Sequence, residues 1–149
     1  STITRKCNRY RGIENPFGHI WKHMDDIISI YEGGWRTYYK SIKPDQFATN
    51  KNNSYKPLTS AAVVTSYKTE IRVTPTCDFF AEACTNGSGT TYWCDYNWDN
   101  TDTSEHCLLI GGDSVGDDTA GLFNLDSNNG VGHSNANVGS RLTYLPWAE

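Results

Sequence analysis

The sequence predicts an α+β fold, rich in loops, with mixed antiparallel sheets and few helices, and three observations carry that expectation. Apolar residues at Phe17, Ile20, Trp21, Met24, Ile27 and Ile28 keep the three-and-four spacing of an amphipathic helix. Several later stretches alternate apolar and polar residues or form compact apolar runs, the patterns of short strands. Residues 111–139 form a long polar segment, in which 20 of 29 are Gly, Asn, Asp, Ser or His. Those types tolerate left-handed backbone or hydrogen-bond to the chain nearby, so the segment reads as loop surface.

Taken in order, residues 1–16 read as an extended entry with turns at Gly12 and at Asn15-Pro16. The helical spacing over 17–28 follows. Residues 29–45 alternate around Gly33-Gly34, which predicts a hairpin turning on the two glycines. Residues 46–60, rich in Asn, Lys and Pro, are expected to be a surface loop. Ala61–Val73 carries Val63, Val64, Tyr67, Ile71 and Val73, which predicts a strand pair ended by Pro75, and a short Phe79-Phe80 patch comes next. Gly87–Trp98 alternates aromatic and polar residues after a Gly-Ser-Gly turn. Leu108-Leu109-Ile110 predicts a compact buried strand that stops at Gly111-Gly112, and Val138–Tyr144 predicts a closing strand whose pairing with the upstream sheet pins both ends of the polar segment.

At 149 residues the chain is expected to form one domain over 1–149, burying about two thirds of its unfolded surface. Five Trp, nine Tyr and five Phe replace scarce Leu and Met, so an aromatic core under long connections is expected. A net charge of -4 argues against a nucleic-acid or anionic-membrane partner, which calls for a basic stripe. No apolar run approaches the roughly 18 residues of a membrane span, so membrane insertion is not expected. The sequence begins at Ser1 without Met, which leaves room for an upstream attachment segment that was removed. Cys7, Cys77, Cys84, Cys94 and Cys107 are odd in number, so at least one stays free or pairs with another chain. Cys94 and Cys107 bracket an acidic loop and are candidates for a disulfide; buried thiols formed in a reducing cytoplasm are the preferred expectation.

Signals for catalysis are thin. His19 and His23 have the i,i+4 spacing of a helical zinc site but lack the Glu of H-E-x-x-H and a third ligand. Neither a nucleophile elbow nor a phosphate-binding loop occurs. Asp95, Asp99, Asp102 and Glu105 are candidates for a structural calcium ion, with no complete motif; otherwise no cofactor is expected. The polar segment is different. It contains no Lys, Arg, Glu or Gln, its only charges being Asp113, Asp117, Asp118 and Asp126. Every residue from Gly111 to Gly139 is one that a codon ending in a pyrimidine encodes, the outcome of free adenine substitution in a run of asparagine codons.

Gly121–Leu142, GLFNLDSNNGVGHSNANVGSRL, resembles the C-terminal variable region of the target proteins of diversity-generating retroelements of gut phages. Tyr10–Asp26 is similar to a motif near the start of those domains, and Gly87–Trp98 to one just before the variable region. The resemblance implies a C-type-lectin fold of the formylglycine-generating-enzyme subtype with a variable ligand-binding region at about 111–141. In that subtype the segment resembling Gly18–His23 leads into a strand, an expectation set against the helical spacing. Trp21 is core under either. His19 and His23 stand where the family pattern has Asn and Trp.

The resemblance further implies a division of labour. Gly111, Gly112, Gly121, Leu122, Phe123, Asn128, Asn129, Asn135, Asn137, Gly139 and Arg141 match the invariable frame, expected to supply turns, packing and backbone caps. Asp113, Ser114, Asp117, Asp118, Asn124, Asp126, Ser127, Gly130, Val131 and His133 fall between them and are expected to face solvent as the contact surface, extended by Tyr92 and Tyr96. The function implied is a non-enzymatic, hypervariable receptor-binding module of a phage tail or bacterial cell-surface adhesin. Its expected partner is a host-surface protein or glycan, with homo-oligomers multiplying weak contacts. Two alternatives come from other classes. One is a thiol- or metal-dependent enzyme of the formylglycine-generating type. The other is a calcium-dependent lectin, for which Glu14-Asn15-Pro16, Lys43-Pro44-Asp45 and Trp98-Asp99-Asn100 are altered forms of the usual motifs.

Overall fold

The computed structural model describes residues 9–11, 13–14, 16–43, 50–73, 80–91 and 95–140; of the side chains within those ranges, 9, 10, 13, 14 and 117 are outside the description. The chain is mostly β-sheet, loop-rich and almost without helix. A single 3-10 turn, Asp117–Thr119, is the only helical element among the described residues. The α half of the expected α+β class is therefore absent from them.

Among the described residues twelve strands occur in chain order: β1 (Arg9–Tyr10), β2 (Ile13–Glu14), β3 (Trp21–Glu32), β4 (Trp35–Ser41), β5 (Tyr55–Ala61), β6 (Ser66–Tyr67), β7 (Glu70–Arg72), β8 (Phe80–Ala83), β9 (Tyr96–Trp98), β10 (His106–Ile110), β11 (Leu125–Asp126) and β12 (Val138–Gly139). The main sheet runs β5-β4-β3-β10-β11-β9-β6, with β12 added beside β3; β1-β2 and β7-β8 are separate pairs. It is mixed: β11 runs parallel to β9 and β12 parallel to β3, the other pairs being antiparallel.

The stretch expected as a helix is the long strand β3, as the family resemblance implied. Ile27 and Ile28 are adjacent yet both buried, because β3 is covered on both faces. Ile27 enters a cluster with Tyr38, Ala61, Phe80, Leu108 and Leu125; Ile28 enters another with Tyr39 and Tyr55, against which Ile30 and Val131 pack. Between Cys107↔Ile28 and Leu109↔His23 the register shifts, so residues 24–27 of β3 face only Leu108. A bulge of that kind breaks the two-residue period and lends an apolar strand a helix-like spacing.

The hairpin is as expected. Gly33 and Gly34, at φ 60° and 86°, join β3 to β4 with both central residues in the left-handed region, the conformation that matches strand twist in a two-residue turn. Tyr55–Ala61, expected as surface loop, is instead edge strand β5, with Tyr55 and Ala61 buried. Its Pro57 sits there because an edge strand needs no donor on its outer side. The expected strand pair over 61–73 is two short strands that pair elsewhere, β6 with β9 and β7 with β8. Phe80 begins β8, buried against Tyr38 with ring centroids 4.2 Å apart; Phe79 lies outside the described residues. The β10 strand ends at Ile110 before Gly111, and Val138–Gly139 pairs with β3 at Trp21 and Lys22, both as expected. The rest of the expected closing strand lies outside the described residues.

Across the sheet runs a ladder of directly opposed residues: Trp98 on β9, Asp126 on β11, Leu109 on β10 and His23 on β3. Opposed residues share a face, so this row marks the face on which the polar segment lies.

Candidate functional site

The polar segment is fastened to the sheet by its backbone. Gly111 N–H donates to the Asn124 carbonyl and Gly111 C=O accepts from Gly18 N–H (3.1 and 2.8 Å). Cys107 N–H donates to Asn129 O, and Trp21 N–H to Asn137 O, at 2.9 and 2.8 Å. These bonds satisfy donors that loop backbone cannot leave buried and unpaired. Gly111 and Gly112 have φ of 91° and 70°, and a Cβ on Gly112 would lie 2.7 Å from Ala120 Cβ. Both glycines are therefore favoured by backbone sign, and Gly112 by close approach as well.

Asparagines and acids fix the turns. Asp126 Oδ1 accepts the Asn128 N–H at 2.7 Å and its Oδ2 the Asn129 side-chain amide at 2.9 Å. Asp113 Oδ1 accepts the Val115 N–H at 3.1 Å and its Oδ2 the Asn137 amide at 2.5 Å. Asn135 Oδ1 accepts from Ala136 N–H. Asn129, Asn135 and Asn137 thus hydrogen-bond within the segment, whereas Leu122 and Phe123, expected to pack, are 38% and 42% exposed. Arg141 lies outside the described residues.

The residues expected to face solvent divide into groups. Ser114, Asp118 and Gly130 are exposed, and a Cβ on Gly130 would meet nothing within 4 Å. Asp113, Val131, His133 and Tyr96 are half-buried. Asp117 belongs to the 3-10 turn, and its side chain, like Tyr92, is outside the described residues. Asn124, Asp126 and Ser127 are buried, which corrects the expectation of exposure. The physical reason is hydrogen bonding. Asn124 Nδ2 donates to the Thr119 carbonyl, closing the 3-10 turn onto the sheet. Asp126 belongs to β11 and caps the turn after it. Ser127 Oγ shares a 2.7 Å bond with Tyr38 Oη, its N–H donates to Trp98 O at 2.9 Å, and its carbonyl lies 2.6 Å from His106 Nδ1. All three bond inward and hold the segment to the sheet. Tyr96 packs edge-on against Tyr67 (83°) and tilted against Trp98, which makes it a support of the face as much as a part of it.

Among the described residues, cavities open along the segment at each end of the Trp98–Asp126–Leu109–His23 row. The first, about 290 Å³, is lined by His23 and Asp25 of β3, by Val131, His133 and Ser134, and by 138–140. It coincides with a gap along β3: Ile27 pairs with Lys40 of β4 and Lys22 with Gly139 of β12. Among the described residues, 23–26 have no strand on that edge. The second, about 320 Å³, is walled by Trp21 and Trp98, with Asp113, Val115 and Thr119 on the loop side and Asp126 at the base. Trp21, expected in the core, is half-buried at a cavity wall. Composition alone did not flag Trp21, Trp98, His23 or Asp25 as site residues; their strand alternation, read with the correct register, would have placed Trp21 and His23 on one face.

The supporting electrostatics lie beneath and beside the face. Arg36, fully buried, donates from Nε to Asp99 Oδ1 at 2.9 Å and from Nη2 to Asn100 O at 2.6 Å. Burial pushes the Asp99 carboxyl up to about 6 in spite of Arg36, and its Oδ2 has no hydrogen-bond partner. Lys68, also buried, donates to the Phe123 carbonyl, and burial lowers its ammonium to about 8. Burial likewise raises the Asp126 carboxyl, opposed by the Asn128 N–H and by His133.

His19 and His23 lie on extended chain, where four residues span about 13 Å rather than one helical turn. Among the described residues no group of three His, Cys, Asp or Glu side chains converges. Of the calcium candidates, Asp95 Oδ1 accepts from Phe123 N–H, Asp99 pairs with Arg36, and Asp102 Oδ1 accepts from Ser104 N–H. Cys84 and Cys107 are buried free thiols, raised to about 11 by desolvation, so Cys107 is not in the candidate disulfide. Cys7, Cys77 and Cys94 lie outside the described residues. The chain matches no family model, no curated protein and no solved structure.

Proposed function

We propose that this chain is a ligand-binding module of the C-type-lectin kind, in which a diversified surface over about 111–141 is displayed on a fixed frame, as in the variable proteins of diversity-generating retroelements. The observation that carries this reading is the separation within one segment. Asn124, Asp126 and Ser127 bond inward and are buried, while Ser114, Asp118 and Gly130 face solvent, and residues of the same segment line both cavities. Inward-bonding residues fix the backbone. Outward ones carry little stability, so their replacement costs about 0.5 kcal/mol or less each.

Such a module belongs on a phage tail or a bacterial cell surface, where several copies turn weak contacts with a host protein or glycan into firm attachment. A non-enzymatic role also fits the described thiols, because a nucleophilic cysteine needs a lowered pKa and an electropositive neighbourhood, whereas Cys84 and Cys107 are shifted the other way. Sequencing the gene's surroundings tests the proposal. The expected result is a near-copy of the segment encoding 111–141 beside a reverse-transcriptase gene, differing from it at adenines. A complete locus with neither would contradict diversification.

A further inference from the structure

We infer that the cavity between Trp21 and Trp98 receives a single cationic group, an ammonium or guanidinium carried by the ligand; this rests on the ligand-display reading above. Its lining includes two indoles and two carboxylates, Asp113 and Asp126, and, among the described residues, no Lys, Arg or His. Both carboxylates are held by neutral N–H donors, from Val115 and Asn137 in one case and Asn128 and Asn129 in the other. Neither is in an ion pair among the described residues. His106 and His133 bias Asp126, but neither lines the cavity. Among the described residues, then, no ion pair neutralises either carboxylate, while burial favours the neutral form of Asp126 and the two histidines oppose it.

Two donors of the lining are already engaged. The Thr119 hydroxyl donates to Gly116 O at 2.6 Å and the Val115 N–H to Asp113, while Trp98 Nε1 is buried without a hydrogen-bond partner. A neutral sugar needs donors and acceptors from its site. A cation brings its own N–H groups and asks for acceptors and aromatic faces, which are what these walls offer. Carboxylate oxygens that each accept one bond retain capacity for another. At about 320 Å³ the cavity suits one side-chain head or a small quaternary ammonium, not a long chain.

The test is an NMR titration of the full chain, following the indole N–H signals of Trp21 and Trp98. The probes are N-acetyl-lysine amide, its trimethylated form and N-acetyl-arginine amide, with N-acetyl-norleucine amide and methyl glucoside as neutral counterparts. Saturable shifts with the cations, weakened by salt, and binding at least about tenfold weaker for the neutral probes are expected. Asp113→Asn should weaken the cations about tenfold. Val115→Lys, at a position 84% exposed on the rim, should abolish the titration with the fold intact, by supplying a tethered ammonium. Equal response to norleucine amide or glucoside, or no response to any cation, would overturn the inference. The display reading would survive that failure, since it is tested separately by the gene's surroundings and by whether replacing Ser114, Asp118 and Gly130 unfolds the chain.

Discussion

Tyr38 and Ser127, 89 residues apart, meet hydroxyl to hydroxyl at 2.7 Å with both side chains fully buried. This bond ties the centre of the sheet to the middle of the polar segment. Ser127→Ala leaves the Tyr38 hydroxyl without that partner in a dry site, and Tyr38→Phe does the same to Ser127. Each is expected to cost about 1–2 kcal/mol. The double variant should cost less than the sum, because it removes both groups of the bond. Urea unfolding of the three variants measures this; strict additivity would show that the two do not interact.

Arg36 and Asp99 bind β4 to the loop after β9 in the same way. Arg36→Met would leave the Asp99 carboxyl buried with its main counter-charge gone, a loss expected to reach about 3–5 kcal/mol. Removing a surface pair such as Lys40 and Asp26, 3.7 Å apart, should cost less than about 1 kcal/mol. Comparison of Arg36→Met with Lys40→Met by denaturation checks the contrast; equal effects would contradict it.

The same pair sets a pH dependence with an unusual sign. Asp99 titrates near 6 in the folded chain against an ordinary value of 3.8, raised by burial. Between those values the folded state holds a proton that the unfolded state has released, so stability rises as pH falls from about 6 to about 4. The gain is on the order of 2 kcal/mol. Asp126 shifts in the same direction and contributes with the same sign. Asp99→Asn should flatten the slope of stability against pH over this window without removing it, which urea midpoints at several pH values would show. An unchanged slope would mean that Asp99 does not titrate there.

Gly112 offers a backbone test. Its positive φ and the 2.7 Å approach that a Cβ would make to Ala120 predict that Gly112→Ala costs about 2 kcal/mol or more. Gly130 has open space at the corresponding position, and Gly130→Ala should be close to neutral. Thermal unfolding of the two distinguishes them.

Parts of this organisation were legible in the sequence because local chemistry alone determines them. The Gly33-Gly34 hairpin, the stop of β10 at Gly111 and the capping asparagines at 129 and 135 need only their neighbours. The β3 strand was not legible from spacing. Its two covered faces and the bulge opposite Leu108 put Met24, Ile27 and Ile28 at helix-like intervals, and the resemblance to a known motif gave the better expectation. Buried polar residues were hidden for another reason. Asn124, Asp126 and Ser127 are polar inside because partners as distant as Tyr38 satisfy them, and no window of sequence shows a partner 89 residues away. The cavity walls at Trp21 and Trp98 depend in the same way on the register that brings β9, β11, β10 and β3 together.

The central claim is that frame and display are separable within 111–141, and melting temperature tests it most directly. Tyrosine, one adenine substitution from asparagine, is placed at Ser114, Asp118 and Gly130 together, and separately at Asn124 alone. The triple variant at the exposed positions is expected to melt within about 3 °C of the parent, and Asn124→Tyr about 10 °C lower, from overpacking beneath the turn. A triple variant that falls as far as Asn124→Tyr would contradict the account.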